Sequence, residues 1–98
     1  YDPCNVAWML RRDPIDEFDV VASFIANVHI KDQIDAPRGS GMPTWVVPGE
    51  GMIDYSRHFA ELKRLGYAGN ISLEPHMDGG LETIMRCKQA VERLWDEA

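Results

Sequence analysis

Two short segments of this chain alternate apolar and polar residues and end on a side chain that can bind a metal. The first, residues 27–32, contains His29, and the second, residues 70–75, contains Glu74. Alternation with a period of two places the polar side chains on one face of a strand. A helical pattern follows each segment, and ligands bind at the carboxyl ends of the strands in parallel α/β folds. The two segments therefore predict parallel strands whose polar ends contribute to one site.

Helical signals surround both predicted strands. Asp13, followed by proline, predicts a helix start, and the apolar stripe continues to about Ser23. Asp54 predicts the start of a second helix, which Gly66 would end. A third helix follows the glycine-rich turn at residues 78–80. The second helix is expected to bury Tyr55, Phe59, Leu62 and Leu65, and the third is expected to bury Leu81, Ile84, Met85, Val91, Leu94 and Trp95.

A long segment rich in proline and glycine, residues 32–52, separates the first strand from the second helix. We expect it to be a functional loop, and its apolar patch around Trp45 suits a lid over a pocket. Alternating strands and helices predict an α/β fold with parallel strands. Two strands can neither close a barrel nor be covered on both faces, and eight such units take about 250 residues. Residues 1–98 are therefore expected to be a single fragment, the C-terminal part of a (β/α)8 TIM barrel, incomplete on its own.

Composition excludes several classes of function. The formal net charge of −6 and the pI near 4.9 argue against a nucleic-acid partner, whose binding surface would be basic. Cys4 and Cys87 lack the spacing of a metal site or a disulfide framework, which indicates a reduced, cytoplasmic setting. The sequence contains neither a signal peptide nor a long apolar run, so we expect no membrane partner.

Three side chains are candidate metal ligands: Asp2, His29 and Glu74. A single histidine in a strand is usually a hydrogen-bonded core residue, but His29 lies near the end of its strand and precedes a long loop. Glu74 is either a solvated carboxylate or a metal ligand that also serves as a catalytic acid or base. Asp2 has little sequence before it and could be a terminal loop carboxylate. A mixed His/Asp/Glu set is compatible with Mn²⁺, Co²⁺, Mg²⁺ or Zn²⁺.

Four further residues are candidates for substrate binding. Asn5 could bind a substrate hydroxyl. Lys31 and Asp32 form either an exposed pair or site groups; at a pocket, Lys31 would stabilise an oxyanion, and Asp32 would orient Lys31 or the imidazole. Arg38 is either solvated or a substrate contact.

Four motifs occur along nearly the whole chain in a fixed order. They are Asp2-x-x-Asn5, Val28-His29-Ile30-Lys31-Asp32, Gly49-Glu50-Gly51 with Ile53-Asp54, and Gly69-x-Ile71-Ser72-Leu73-Glu74. Together they resemble the xylose-isomerase-like sugar phosphate isomerases/epimerases. The resemblance implies that Asp2 ends the sixth barrel strand, that His29 lies on the seventh and that Glu74 ends the eighth. It also implies that these three residues are metal ligands and that a further glutamate ligand lies upstream of this sequence.

The resemblance implies an isomerase or epimerase that removes a proton next to the carbonyl of a sugar or polyol. Glu74 would be one of two glutamates that move protons through an enediolate. Asn5 stands where several epimerases have histidine, and the Lys31-Asp32 pair replaces other residues found there. The Lys-Asp pair is closer to a group that includes inosose dehydratases, hydroxypyruvate isomerases and dehydroshikimate dehydratases, so a lyase is the alternative. An apurinic endonuclease and a non-catalytic barrel are less favoured. The chain alone is expected to be inactive, and the oligomeric state stays open, with a homo-oligomer as one alternative.

Overall fold

The computed structural model of the protein describes residues 1–34 and 41–98. Within these residues the strands are β1 (Asn27–Ile30), β2 (Asp32–Ile34), β3 (Thr44–Val46) and β4 (Asn70–Leu73). The α-helices are α1 (Pro3–Leu10), α2 (Phe18–Val21), α3 (Tyr55–Arg64) and α4 (Gly80–Glu97), and short 3-10 turns cover Pro14–Glu17 and Ala22–Phe24. In the described part of the chain, no helix combines the length and the apolarity that a membrane span requires.

Strands β1 and β4 form the parallel pair that the alternating segments predict. Their register aligns His29 with Ser72 and Ile30 with Leu73, and the Glu74 N–H extends the ladder by donating to the Ile30 carbonyl at 2.9 Å. On the other side of β1, the Tyr1 amino group donates to the Asn27 carbonyl at 2.7 Å, and the His29 N–H donates to the Tyr1 carbonyl at 2.8 Å. Tyr1 therefore pairs with β1 as a parallel neighbour would, and the α/β fold with parallel strands is confirmed.

The two faces of β1 are sorted as the alternation predicts. Val28 and Ile30 are each only 1% exposed and pack in the main hydrophobic core with residues of α3 such as Phe59 and Leu62. Asn27 and His29 are partly exposed on the opposite face. The apolar contacts on one face thus fix which way His29 points.

The prediction that residues 32–52 form one continuous loop is wrong. Strands β2 and β3 pair antiparallel within that segment, with Asp32 opposite Val46 and Gln33 opposite Trp45. Each strand has only three residues, so the cross-strand pairing creates a hairpin that local propensity does not indicate. The chain therefore leaves the parallel pair at Lys31 and enters the hairpin at the next residue.

The first part of the chain is more helical, and less regular, than the sequence predicts. Helix α1 was not predicted, although Asp2 caps it and Pro3 occupies its first turn. The single helix expected from Pro14 to Ser23 is instead divided into a 3-10 turn, the short helix α2 and a second 3-10 turn. Its apolar stripe is short and includes β-branched residues, which give a helix little support of its own.

Helices α3 and α4 cover the sheet with faces that differ partly from the predicted ones. In α3, Tyr55, Phe59 and Leu62 are buried as predicted, but Leu65 is exposed and His58 is buried in addition. In α4, the predicted Leu81, Ile84 and Met85 are exposed, and residues with smaller side chains are buried instead. The buried face of α4 consists of Thr83, Cys87, Ala90 and Val91, of which Val91 was predicted, and the predicted Leu94 and Trp95 are partly buried against the core. Small side chains let this helix pack closely against the rest of the protein. Because the prediction considered only the large apolar residues, it chose the wrong buried face for the first turns of α4.

Candidate metal centre

Asp2, His29 and Glu74 converge on one point of the structure. One donor atom from each lies within 4.8 Å of the other two. Asp2 is the N-cap of α1, His29 lies on β1, and Glu74 follows the last residue of β4. The parallel pairing therefore unites three residues that are 27 and 45 positions apart in sequence (29 − 2 and 74 − 29).

The orientation of Asp2 is fixed by the first turn of α1. Its Oδ1 accepts a hydrogen bond from the Asn5 backbone N–H at 2.9 Å, and its Oδ2 accepts one from the Asn5 side-chain amide at 2.7 Å. Asn5, which the sequence places among the substrate-binding candidates, thus contacts the candidate ligand directly. The alternative that Asp2 is a carboxylate in a terminal loop is wrong, because the residue begins a helix.

Lys31 lies between the two carboxylates. Its Nζ is 2.8 Å from Asp2 Oδ2 and 2.6 Å from Glu74 Oε2, and the side chain is only 5% exposed. Burial would lower the pKa of Lys31, but its hydrogen bonds with Asp2 and Glu74 outweigh burial and raise it. The hydrogen bond from Lys31 is also the main reason that the pKa of Glu74 lies below its usual range. Lys31 is therefore buried and paired with two carboxylates, and the alternative of an exposed pair is wrong.

Two imidazoles flank the same carboxylate oxygen. Glu74 Oε2 is 3.5 Å from His29 Nδ1 and 3.8 Å from His76 Nε2. The His76 ring packs at a tilt against Trp45 of β3, with ring centroids 4.6 Å apart, and Trp45 meets Trp8 of α1 edge to face. The hairpin thus lies against the rim of the site. His76 follows Pro75 outside the strand, so alternation gave no signal that it would approach Glu74.

Asp32 and Arg38 were also expected near substrate. The Asp32 carboxylate is buried and accepts four backbone hydrogen bonds, three of them from residues 49–53, rather than facing Lys31 or His29. Burial raises the pKa of Asp32, and the four backbone donors oppose that shift. Arg38 lies outside the described residues.

The donor set has the chemistry of a divalent metal site. Two carboxylates and one imidazole match the ligands that Mn²⁺, Co²⁺, Mg²⁺ and Zn²⁺ accept. Asn5 orients one of the carboxylates from outside the donor set, as residues around metal ligands commonly do. Glu74 is 40% exposed, so a small molecule can reach it from solvent. The three residues therefore fit a metal ion.

Comparison with known proteins agrees with this geometry. Over 96% of its length the chain resembles the crystal structure of a xylose isomerase domain protein from Planctomyces limnophilus, with a TM-score of 0.68 and 25% identity. The chain spans only 34% of that structure. No curated protein matches it. Residues 1–97 match the family described as xylose isomerase-like TIM barrel. The chain belongs to the xylose isomerase-like TIM barrel family.

Proposed function

We propose that the protein is a divalent-metal-dependent isomerase or epimerase of a sugar or polyol. The observation that supports this most is the convergence of Asp2, His29 and Glu74 around the Lys31 ammonium group. An acid/base carboxylate, a metal-ligand set and a buried cation are the groups needed to remove a proton next to a carbonyl and to stabilise the resulting oxyanion.

Each residue would have a distinct role in that reaction. Asp2, His29 and Glu74 would hold the metal, which when bound supplies charge stabilisation to the substrate oxygens. Glu74 would transfer the proton, since the hydrogen bond from Lys31 keeps its pKa below the usual range and its side chain is partly open to solvent. Lys31 would donate a hydrogen bond to the developing oxyanion, and Asn5 would keep Asp2 in place.

A second candidate reaction is elimination of water from a polyol or a related acid. It is favoured by one contact, the 2.6 Å approach of Lys31 Nζ to Glu74 Oε2. Elimination needs a base for the carbon proton and an acid for the departing hydroxyl, and an ammonium group beside a carboxylate supplies both.

The partner and location that we propose follow from charge and cysteine chemistry. A neutral or weakly charged sugar or polyol suits a chain with a net charge of −6 better than a nucleic acid does. Cys4 and Cys87 are buried and unpaired, which is consistent with a reducing, cytoplasmic environment.

The test is metal-dependent exchange of solvent deuterium into a panel of ketoses and inososes, measured on the full-length protein. Exchange at carbon in the wild type, lost in Glu74→Gln without loss of fold, would support the proposal. Glu92→Gln is the matched control, because Glu92 is an exposed residue of α4 that pairs with Lys88. If Glu74→Gln exchanges at the wild-type rate, Glu74 is not the acid or base.

Metal binding separates the remaining alternatives. Calorimetric titration with Mn²⁺, Co²⁺, Mg²⁺ and Zn²⁺ should show binding that His29→Ala weakens, and unchanged affinity would refute His29 as a ligand. Metal binding without exchange, together with cleavage of abasic DNA, would indicate an endonuclease. A protein that binds no metal and catalyses no exchange would be a non-catalytic barrel.

A further inference from the structure

The Asp32 carboxylate is enclosed by backbone donors. Its Oδ1 accepts from the Gln33 N–H at 2.8 Å and the Ile53 N–H at 3.2 Å, and its Oδ2 accepts from the Gly49 N–H at 2.9 Å and the Gly51 N–H at 3.0 Å. The residue is only 1% exposed. Two backbone donors on each oxygen satisfy the hydrogen-bonding capacity of this buried anion. The Asp32 carboxylate is therefore not available to accept a hydrogen bond from a substrate.

The turn at residues 49–53 is shaped to fit this carboxylate. Gly49 has a φ of +91°, a conformation that favours glycine. A Cβ on Gly51 would lie 2.2 Å from Asp32 Oδ1, so a side chain at that position would push the carboxylate out. The Met52 N–H also donates to the Gln33 carbonyl at 2.9 Å. These contacts join the turn to the first two residues of β2.

The residue before Asp32 is held just as firmly. The Lys31 N–H donates to the Tyr55 hydroxyl oxygen at 3.3 Å, and the Tyr55 hydroxyl donates back to the Lys31 carbonyl. Tyr55 is buried in α3. Lys31 lies at the junction of β1 and β2, outside both ladders, so its backbone position depends on Tyr55 on one side and on Asp32 on the other.

We propose that Asp32 is a positioning residue for Lys31: by binding four amides of β2 and the 49–53 turn, it fixes the backbone from which the Lys31 ammonium reaches Asp2 and Glu74. Substrate does not touch Asp32. Its influence on rate rests on the proposed function, because it acts through Lys31. Of these two adjacent residues, Lys31 therefore faces the site, and Asp32 faces the backbone of β2 and the 49–53 turn.

Asp32→Asn is the informative substitution. The side chain keeps its size, but the amide nitrogen can no longer accept from two N–H groups and instead places donor against donor. The turn should then separate from β2 and release the Lys31 backbone. Asp54→Asn is the matched control, because Asp54 is an exposed N-cap that accepts from the Arg57 N–H and does not contact Lys31.

A double-mutant cycle in the full-length protein tests the coupling. The deuterium-exchange rate is compared in the wild type, Asp32→Asn, Lys31→Met and the double variant. A displaced Lys31 should lower the rate by up to about 100-fold in Asp32→Asn, while the same change in the Lys31→Met background should cost no more than about twofold. Equal fold-losses in both backgrounds would overturn the proposal, since a merely structural residue acts independently of Lys31.

A second readout does not depend on catalysis. Acetylation of Lys31 under native conditions, followed by peptide mass spectrometry, should be slow in the wild type and faster in Asp32→Asn, while Lys63 and Lys88 react equally in both. Protected Cys4 and Cys87 thiols would show that the fold is intact. Unchanged Lys31 labelling in folded Asp32→Asn refutes the positioning role even if no substrate is ever found, so its failure and that of the proposed function are distinguishable.

Discussion

Replacing Lys31 with methionine should tighten metal binding. The substitution keeps an unbranched chain of similar length but removes the ammonium that now contacts Asp2 Oδ2 and Glu74 Oε2. A divalent ion at the proposed site of the wild type would bind beside this fixed positive charge. Without it, two carboxylates face each other in the metal-free protein, and a metal ion relieves their repulsion.

The magnitude follows from the separation of the donors. Two unit charges at 4.8 Å, the distance within which the candidate ligand atoms lie, repel by about 1 kcal/mol in water and about 3 kcal/mol at an effective dielectric constant near 20. Because Glu74 is 40% exposed, solvent screening favours the lower part of that range, about 1 to 2 kcal/mol. The Kd for Mn²⁺ should therefore fall by about 5- to 30-fold in Lys31→Met.

Calorimetric titration of the full-length protein with Mn²⁺ measures this effect. Lys31→Arg keeps the positive charge and should bind the metal about as the wild type does. Lys88→Met, which removes an exposed lysine of α4, controls for net charge. Equal or weaker binding by Lys31→Met would refute the reasoning, because Lys31 would then hold the carboxylates in place more than it competes with the metal.

Three further predictions concern the fold. Burial lowers the pKa of His58, so its contribution to stability is fully present above about pH 6.5 and is lost as the pH falls toward the lower folded value. His58→Gln should therefore reduce the loss of urea-unfolding free energy on acidification, and an unchanged loss would contradict this. Gly51→Ala should destabilise the protein by about 1 to 3 kcal/mol in the same assay, because its Cβ would meet Asp32; an unaltered midpoint would contradict it. Phe59→Ala empties a fully buried core position and should cost about 3 to 5 kcal/mol, with a thermal melt near wild type as the contrary result.

The strands that position the site were predictable because burial of one face gives them a period of two. Val28 and Ile30 had to face the core, which left His29 and Lys31 on the other side. The same alternation already places Asp32 on the face opposite Lys31. The sequence could therefore have predicted that the Asp32 side chain points away from the site. Helix α1 was predictable too, since Asp2-Pro3 repeats the cap signal of Asp13-Pro14.

Other features depend on contacts that local sequence does not encode. The hairpin of β2 and β3 exists through cross-strand pairing of three-residue strands, and its glycines and prolines pointed to a loop. His76, which approaches Glu74, also packs against the ring of Trp45, a residue 31 positions earlier (76 − 45). The exposed Leu81 on α4 shows that apolar spacing identifies a helix more reliably than it identifies the side that packs.

The residue at position 2 has to meet two requirements, one from the first turn of α1 and one from the candidate metal centre. One oxygen of Asp2 caps the helix, while the other faces Lys31 and the candidate metal centre. Asparagine or serine would cap the helix equally well but would remove the negative charge, whereas glutamate would keep the charge and lose the cap geometry. A single uncharged replacement at this position could therefore preserve the architecture while removing one candidate metal ligand. A change at this one residue could thus keep the helix cap and the fold while removing the negative charge that the proposed chemistry needs.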